Sequence, residues 1–556
     1  MVRRSFSLLT AVLIALVSWD IWAQTPPNAG RVLQETQPQP ERVPALSAPP
    51  IRVPLESRPA LPAVDDDVRV AVTQIEFTGN KAFSADALHA IVAPWAGRSL
   101  NFGELMQVVE AIEAHYKEAG YFLAQAYLPP QKIRNGTIEI AIGEGLMGEG
   151  RIEGESRIAA GVLFGYLDHL PKGKALTLPL LERQVLLINE LAGGRTSLDL
   201  QAGENSGSTD VVLVQQLENL VTGHLEANNH GSPYTGVKLY DLGLNANSPF
   251  NRGERISLNA QTSDARELTS YNLRGELPVG GDGWHLIATA SRAEYRLGGA
   301  FANLDASGTA DSLRLGAAYP LIRSRTNTLK VQVEADHTRL ADKFQLSGTK
   351  LDKQSRALTA TLSEDWLDNF MGSGSTHVGL ALRTGQLTLG PDAAAQDAPP
   401  AGPGSAGHFS KVVLTALREQ TLTRDISLQL QVVLQGAGRN LDSSEKLLMG
   451  GPVTLPGYAN GEASGDSGAF AKLGLHCQLL PELSLTAFTD YAHLHLAHDP
   501  LPTSTNNDRQ LSDLGISANW LIDKHFTANA LLAWAGKETP NPTDNHKFWL
   551  SLGYAW

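Results

Sequence analysis

The residues best suited to chemistry lie in a histidine-rich segment near the end of the chain. His493, His495 and His498 are followed by Asp499, which gives the pattern H-x-H-x-x-H-D. Two histidines that are two residues apart on a strand lie on the same face, where they could share a zinc ion. This segment continues into a proline-containing loop, however, and the sequence offers no second cluster to complete the ligand shell. We therefore predict no metal site and no cofactor.

Other signs of catalysis are missing from the sequence. It contains no G-x-S-x-G, no P-loop and no H-E-x-x-H pattern. The single cysteine, Cys477, alternates with leucines along a predicted strand, which is typical of a packed apolar side chain rather than a reactive thiol. The formal net charge of -13 argues against nucleic acid as a partner. We predict that the protein is not an enzyme.

The first 66 residues are predicted to form an export signal followed by a linker. Arg3 and Arg4 precede an apolar run that is too short to span a membrane, so we expect a signal peptide over residues 1–23. Residues 24–66 are rich in Pro, Ala and Gln, which is typical of an extended linker. Within them, Ala29 to Glu35 could form two helical turns.

Two compact α/β units are predicted next, over residues 67–146 and 147–218. In the first, Asn101 and Glu104 have the spacing of a capping box at the start of a helix with one apolar face. In the second, a helix over 178–192 is followed by alternating apolar and polar residues that predict strands. The order of elements in each unit predicts a small mixed sheet covered by helices.

From residue 219 to the end, the sequence predicts one strand after another. Apolar and polar residues alternate, as in the segment Ser427 to Gln435, and short connections alternate with long ones. A soluble sandwich shows the same alternation. The number of strands and the amphipathic last segment, FWLSLGYAW, favour a membrane barrel of roughly 16 antiparallel strands with a polar lumen. We expect residues 391–407, which are rich in Ala, Pro and Gly, to form a disordered surface loop.

A glycine-rich loop over residues 437–468 interrupts this series of strands. Its glycines allow sharp changes of direction in a narrow space. Shortly after it, Phe488 and Asp490 lie on the same face of a predicted strand.

This arrangement resembles the outer-membrane transporters of two-partner secretion, the haemolysin and filamentous haemagglutinin secretion/activation family of the POTRA-plus-barrel superfamily. The resemblance implies two periplasmic POTRA (polypeptide-transport-associated) domains, a pore plug formed by the N-terminal helix, and a loop folded into the barrel. It also implies a loop motif facing the wall motif Phe488 and Asp490, and a terminal strand signal at Tyr554 and Trp556. The loop motif comprises Leu455, Pro456, Gly457, Tyr458, Gly465 and Asp466. Where the family usually has arginine in the tip, this chain has Pro456, which cannot pair with Asp490.

The function implied by the resemblance is secretion of a large partner exoprotein of the adhesin or haemolysin type, without ATP. The expected partners are a β-helical client, outer-membrane lipid, and the barrel-assembly machinery that inserts the protein itself. Two alternatives stay open at this point. One is an outer-membrane assembly factor of the same superfamily, although such proteins usually carry more POTRA domains. The other is a passive porin.

Overall fold

The computed structural model describes residues 26–37, 51–52, 68–205, 207–502, 504, 506–536 and 545–556. The signal peptide predicted over residues 1–23 lies outside them. Among the residues described, no helix combines the length and the apolar character needed to cross a membrane.

Sixteen antiparallel strands close into a barrel, which confirms the predicted architecture. The last strand pairs with the first, so the barrel has no free edge. The strands are β10 (Val221–Asn228), β11 (Leu239–Asn247), β12 (Arg255–Ser263), β13 (Leu268–Val279), β14 (Trp284–Arg296), β15 (Ala306–Arg323), β16 (Asn327–Phe344), β17 (Thr349–Asp368), β18 (Gly374–Leu389), β19 (Gly407–Thr421), β20 (Ile426–Ala437), β23 (Ser467–Leu480), β24 (Leu483–His495), β25 (Asp508–Leu521), β26 (Phe526–Ala535) and β27 (His546–Ala555). A short 3-10 helix (Gly299–Leu304) lies between β14 and β15.

The alternation in the sequence decides which face of each strand meets lipid. On β27, Phe548, Leu550 and Leu552 are exposed on the outer wall, whereas Trp549 and Ser551 are buried toward the lumen. An apolar outer face and a polar or packed inner face are what a transmembrane barrel requires. Trp556 completes the closure, because it exchanges two backbone hydrogen bonds with Gly223 of β10.

The first α/β unit packs two helices on a small sheet. It contains β2 (Val70–Ala71), β3 (Gln74–Thr78), α2 (Ala85–Val92), β4 (Ser99–Leu100), α3 (Phe102–Glu118), β5 (Gln125–Tyr127) and β6 (Thr137–Gly143). Strands β3, β6 and β5 form one sheet, and β2 pairs with β4. The predicted capping box is confirmed, since Asn101 and Glu104 each accept a hydrogen bond from the other's backbone N–H at 2.8–2.9 Å.

The second α/β unit rests on the turns at one end of the barrel. It contains β7 (Leu146–Gly154), α4 (Ala160–Leu167), α5 (Leu178–Glu190), β8 (Gly194–Ala202) and β9 (Ser208–Leu217). Arg325, in the turn after β15, pairs with Glu182 of α5 at 2.9 Å. The short strand β1 (Ile51–Arg52), from the linker, pairs in parallel with β8 and so occupies one edge of this sheet.

The surface loop over residues 391–407 is not irregular throughout, and the prediction of disorder there is wrong. Residues Pro391–Asp397 form a helix, α6. The Asp397 carboxylate then accepts hydrogen bonds at 2.7–2.9 Å from the Ser405 hydroxyl and from the backbone N–H groups of Ser405 and Ala406. This side chain therefore helps to order the return of the loop, because it satisfies three donors.

Two segments occupy the lumen. The first is helix α1 (Ala29–Thr36), which packs against β14, β15 and β16. The second is the loop between β20 and β23, which carries a small hairpin made of β21 (Leu447–Met449) and β22 (Ala463–Gly465). This loop leaves the barrel at the end opposite the α/β units and turns back inside.

Candidate functional site in the barrel lumen

The tip of the loop is fastened to the barrel wall by several hydrogen bonds. The Gly457 backbone N–H donates to Asp513 Oδ2 at 2.6 Å, and the Pro456 carbonyl accepts from Trp549 Nε1 at 2.8 Å. The Tyr458 hydroxyl donates to the carbonyl of Ser512 at 3.0 Å. The wall groups that form these hydrogen bonds lie on β25 and β27, so the tip contacts neighbouring parts of the wall.

Close packing makes glycine necessary at the tip. A Cβ atom placed on Gly457 would lie 2.8 Å from the backbone nitrogen of Ala535 and 2.8 Å from the Cβ of Asp513. Both neighbours belong to barrel strands, which cannot shift freely. Leu455 and Tyr458, on either side, are 0% and 1% exposed. The tip is therefore a packed contact as well as a polar one.

The wall beneath the tip carries a row of three ionisable side chains. Lys472 on β23 lies opposite Asp490 on β24, which in turn lies opposite Asp513 on β25. Lys472 Nζ is 3.4 Å from Asp490 Oδ2 and 5.1 Å from the centre of the Phe488 ring. It also donates to the Val453 carbonyl of the loop at 3.4 Å. The cation beside Asp490 thus comes from the barrel wall, as Lys472, and not from the loop tip.

Asp513 is a site residue that sequence reasoning missed. The tip was expected to face Asp490, but its backbone N–H reaches Asp513 on the next strand. A signal was present: Leu511 and Asp513 share the inward face of β25, as Phe488 and Asp490 share that of β24. Which two acids lie side by side depended on the strand register, which the sequence pattern alone does not give.

Gly465 and Asp466 were grouped with the tip in the sequence, and the structure corrects this placement. Gly465 ends β22, and Asp466, 0% exposed, lies at the base of the loop. Its carboxylate accepts from the backbone N–H groups of Leu441 and His498 at 3.1 and 2.9 Å and pairs with Lys446 at 2.9 Å. Glycines recur along the whole loop, so their positions in the sequence could not show which residues form its base and which form its tip.

A second ion cluster ties the middle of the loop to the opposite wall. Arg383 on β18 pairs with Asp336 on β16 at 2.5 Å and with Glu445 of the loop at 2.8 Å. Lys411 on β19 pairs with the same Glu445 at 3.0 Å. Burial alone would raise the pKa of the Glu445 carboxyl, but Lys411 and Arg383 hold it below its ordinary value. Removing one member would leave a buried charge uncompensated, at a cost of about 3–5 kcal/mol.

Helix α1 binds both the wall and the loop. The Ala29 backbone N–H donates to Asp342 Oδ1 on β16 at 2.7 Å, and the Tyr295 hydroxyl donates to the same oxygen at 2.6 Å. On its other side, Gln34 donates to the carbonyl of Ser443 in the loop at 3.0 Å. A Cβ atom on Gly30 would lie 2.5 Å from Ser443 Oγ, so the helix and loop touch at a glycine. These contacts involve no strand pairing, and the helix could leave without breaking the barrel.

A sequence model of the family described as "Haemolysin secretion/activation protein ShlB/FhaC/HecB" matches residues 207–501. A second one, described as "POTRA domain, ShlB-type", matches residues 70–145. The chain is 24% identical over 504 residues to the heme/hemopexin transporter protein HuxB of Haemophilus influenzae (strain 86-028NP), which covers 87% of each protein. It is 22% identical over 487 residues to the outer membrane transporter CdiB of Dickeya dadantii, which covers 85% of this chain and 84% of that protein.

Among solved structures, CdiB from Escherichia coli matches with a TM-score of 0.72 and 20% identity. The alignment covers 92% of this chain and 95% of that one. At this level of identity the match shows a shared fold.

Proposed function

This chain belongs to the haemolysin secretion/activation protein family, and we infer that its client is a large exoprotein of the adhesin or haemolysin type. It is an outer-membrane transporter that secretes a partner exoprotein from the periplasm to the cell surface, with its POTRA region in the periplasm. We propose further that the client is β-helical, that it crosses without ATP, and that folding outside the cell disfavours its return.

The observation that carries this proposal is the way the lumen is filled. Helix α1 and the loop lie inside a closed barrel and are held there by side-chain contacts, ion pairs and single hydrogen bonds. Both can be displaced without opening the ladder of strands, so a client can take their place.

We propose that client capture begins at the second α/β unit. Strand β1 of the linker occupies the edge of β8 through only two residue pairs, Ile51 with Leu198 and Arg52 with Asp199. An extended client segment that pairs with more of β8 would form more backbone hydrogen bonds and displace β1. Because β1 and α1 belong to the same linker, displacement of one would favour release of the other.

The proposed organisation follows from these roles. We assign residues 1–23 to a signal peptide, 24–66 to the plug and linker, 67–146 and 147–218 to two POTRA domains, and 219–556 to the barrel. Leu455, Pro456, Gly457 and Tyr458 form the docking tip, and Phe488 and Asp490, joined by Asp513, form its receptor. Tyr554 and Trp556 would be recognised by the barrel-assembly machinery when the protein is inserted.

Deletion of residues 68–142 tests the proposal. We expect the shortened protein to insert as a heat-modifiable barrel and to export no client, which is measured as the surface and medium fractions of the partner exoprotein. The control is Leu346→Ser, in the exposed turn between β16 and β17, which should leave export intact. Normal export by the deletion variant, together with a steady open conductance, would favour a passive porin instead.

A further inference from the structure

Three potential metal ligands meet on the outer wall of the barrel. His495 Nδ1 lies 2.6 Å from Asp508 Oδ1, and His493 Nε2 lies 3.3 Å from the same oxygen. The two imidazole rings are 5.0 Å apart between centres. One ligand atom from each of the three residues lies within 4.8 Å of the others. The sequence pattern drew attention to His493, His495, His498 and Asp499 and missed Asp508, because Asp508 follows them after a long loop.

The strand register positions these side chains. His495 on β24 lies directly opposite Asp508 on β25, and His493 is two residues back on the same face. Leu494, between the two histidines, is 0% exposed and points inward, so both histidines point outward. The backbone of the site is therefore fixed by paired strands at the end of the barrel away from the α/β units.

We propose that His493, His495 and Asp508 bind a divalent transition-metal ion, with zinc as the best fit. Zinc takes imidazole nitrogen at about 2.0–2.1 Å and carboxylate oxygen at about 2.0–2.2 Å, which places tetrahedral ligand atoms about 3.4 Å apart. Asp508 Oδ1 lies 2.6 and 3.3 Å from the two histidine nitrogens and all three ligand atoms lie within 4.8 Å of one another, so small rotations bring them to one ion. Two imidazoles favour zinc over calcium or magnesium, which prefer oxygen ligands. Three protein ligands leave one position open for water.

A metal ion bound at this site would stabilise the end of β24, next to the residues that hydrogen-bond to the base of the lumen loop. The His498 backbone N–H, just beyond β24, donates to Asp466 of the loop at 2.9 Å. Lys446 of the loop donates to the carbonyl of Leu496 at 2.6 Å. A metal ion joining β24 to β25 on the outside therefore stabilises the segment to which the loop is fastened on the inside.

Zinc titration of the full chain tests the site. The protein is purified in detergent without a polyhistidine tag, treated with a chelator, and titrated with Zn²⁺ by calorimetry and with Co²⁺ by visible absorption. We expect one equivalent of Zn²⁺, and a loss of affinity of about ten-fold or more in His495→Ala and in Asp508→Asn. The matched control is His498→Ala, since His498 belongs to the same motif but pairs with Asp499 at 3.3 Å.

Heat-modifiability on semi-native gels confirms that each variant is folded. Zn²⁺ should also raise the temperature at which the wild-type barrel unfolds, and it should not do so in Asp508→Asn. Equal zinc affinity in wild type and His495→Ala would overturn the proposal. So would an equal loss in His498→Ala, because it would place the ion elsewhere on the motif.

Discussion

Replacing Gly457 by alanine should release the loop tip from the barrel wall. The new methyl group would lie 2.8 Å from the backbone nitrogen of Ala535, well inside van der Waals contact. The strand that carries Ala535 is paired on both sides and cannot give way. The tip must therefore move, and the hydrogen bonds from Gly457 to Asp513 and from Trp549 to Pro456 are lost.

The size of the effect follows from these two bonds. A hydrogen bond to a charged group contributes about 1.5–3 kcal/mol, and a neutral one about 0.5–1.5 kcal/mol. Their loss should weaken docking of the tip by about 2–4.5 kcal/mol. Since about 1.4 kcal/mol corresponds to a factor of ten, the ratio of docked to undocked loop should fall by roughly 30-fold to 1,600-fold.

Protease accessibility of the loop and single-channel conductance measure this ratio. We expect Gly457→Ala to be cleaved faster within residues 450–465 and to open more often than the wild type. Gly275→Ala is the matched control, because it adds a methyl group to a barrel strand where no atom lies within 4 Å. If Gly457→Ala and Gly275→Ala both behave like the wild type, the tip does not dock against the wall as described.

Three further predictions concern the plug, the wall and pH. Gly30→Ala places a methyl group 2.5 Å from a loop side chain, so it should raise conductance even though alanine favours the helical conformation. Gly161→Ala is the control and should not raise conductance, because a methyl group at this helical position has no atom within 4 Å. Lys472→Gln leaves two buried acids without their cation, so thermal unfolding should begin at a lower temperature, and adding Asp490→Asn should restore part of the loss. The pKa of Glu445 is lowered by its cations, so its contribution to docking is complete above the ordinary carboxyl pKa of about 4.3 and is lost as pH falls below it. Loop proteolysis by an acid-stable protease should therefore accelerate below about pH 4.

The parts of the fold with a local signal could be predicted from the sequence. Alternation along each strand indicated a barrel of about 16 strands, because side chains on a strand point to opposite faces in turn. The capping box predicted the start of α3 for a similar reason, since Asn101 and Glu104 are only three residues apart. The helix in the lumen, over Ala29–Thr36, coincides with the two predicted turns.

Features that depend on register between distant strands could not be predicted. Asp513 and Asp508 lie beside Asp490 and His495 only because β24 and β25 pair in one register. The ordered helix α6 escaped prediction because its neighbourhood is stabilised by polar side-chain contacts, such as those of Asp397 and Asp392, and not by apolar periodicity. The sequence therefore indicated the motifs, whereas the pairing of the strands decided which residues of different strands lie side by side.

The central claim, that the client crosses the lumen after α1 has left it, is tested most directly by a reversible tether. Ala29 and Asp342 are in contact, because the backbone nitrogen of Ala29 lies 2.7 Å from the Asp342 carboxylate. Cysteines at both positions can therefore be joined through disulfide bonds, which reduction breaks. The natural thiol is first removed by Cys477→Ser, which leaves no other cysteine in the chain. Export of the partner is then measured before linking, after linking and after reduction, with each single-cysteine variant as control. We predict that linking stops export and that reduction restores it; unchanged export by the linked protein would contradict the account.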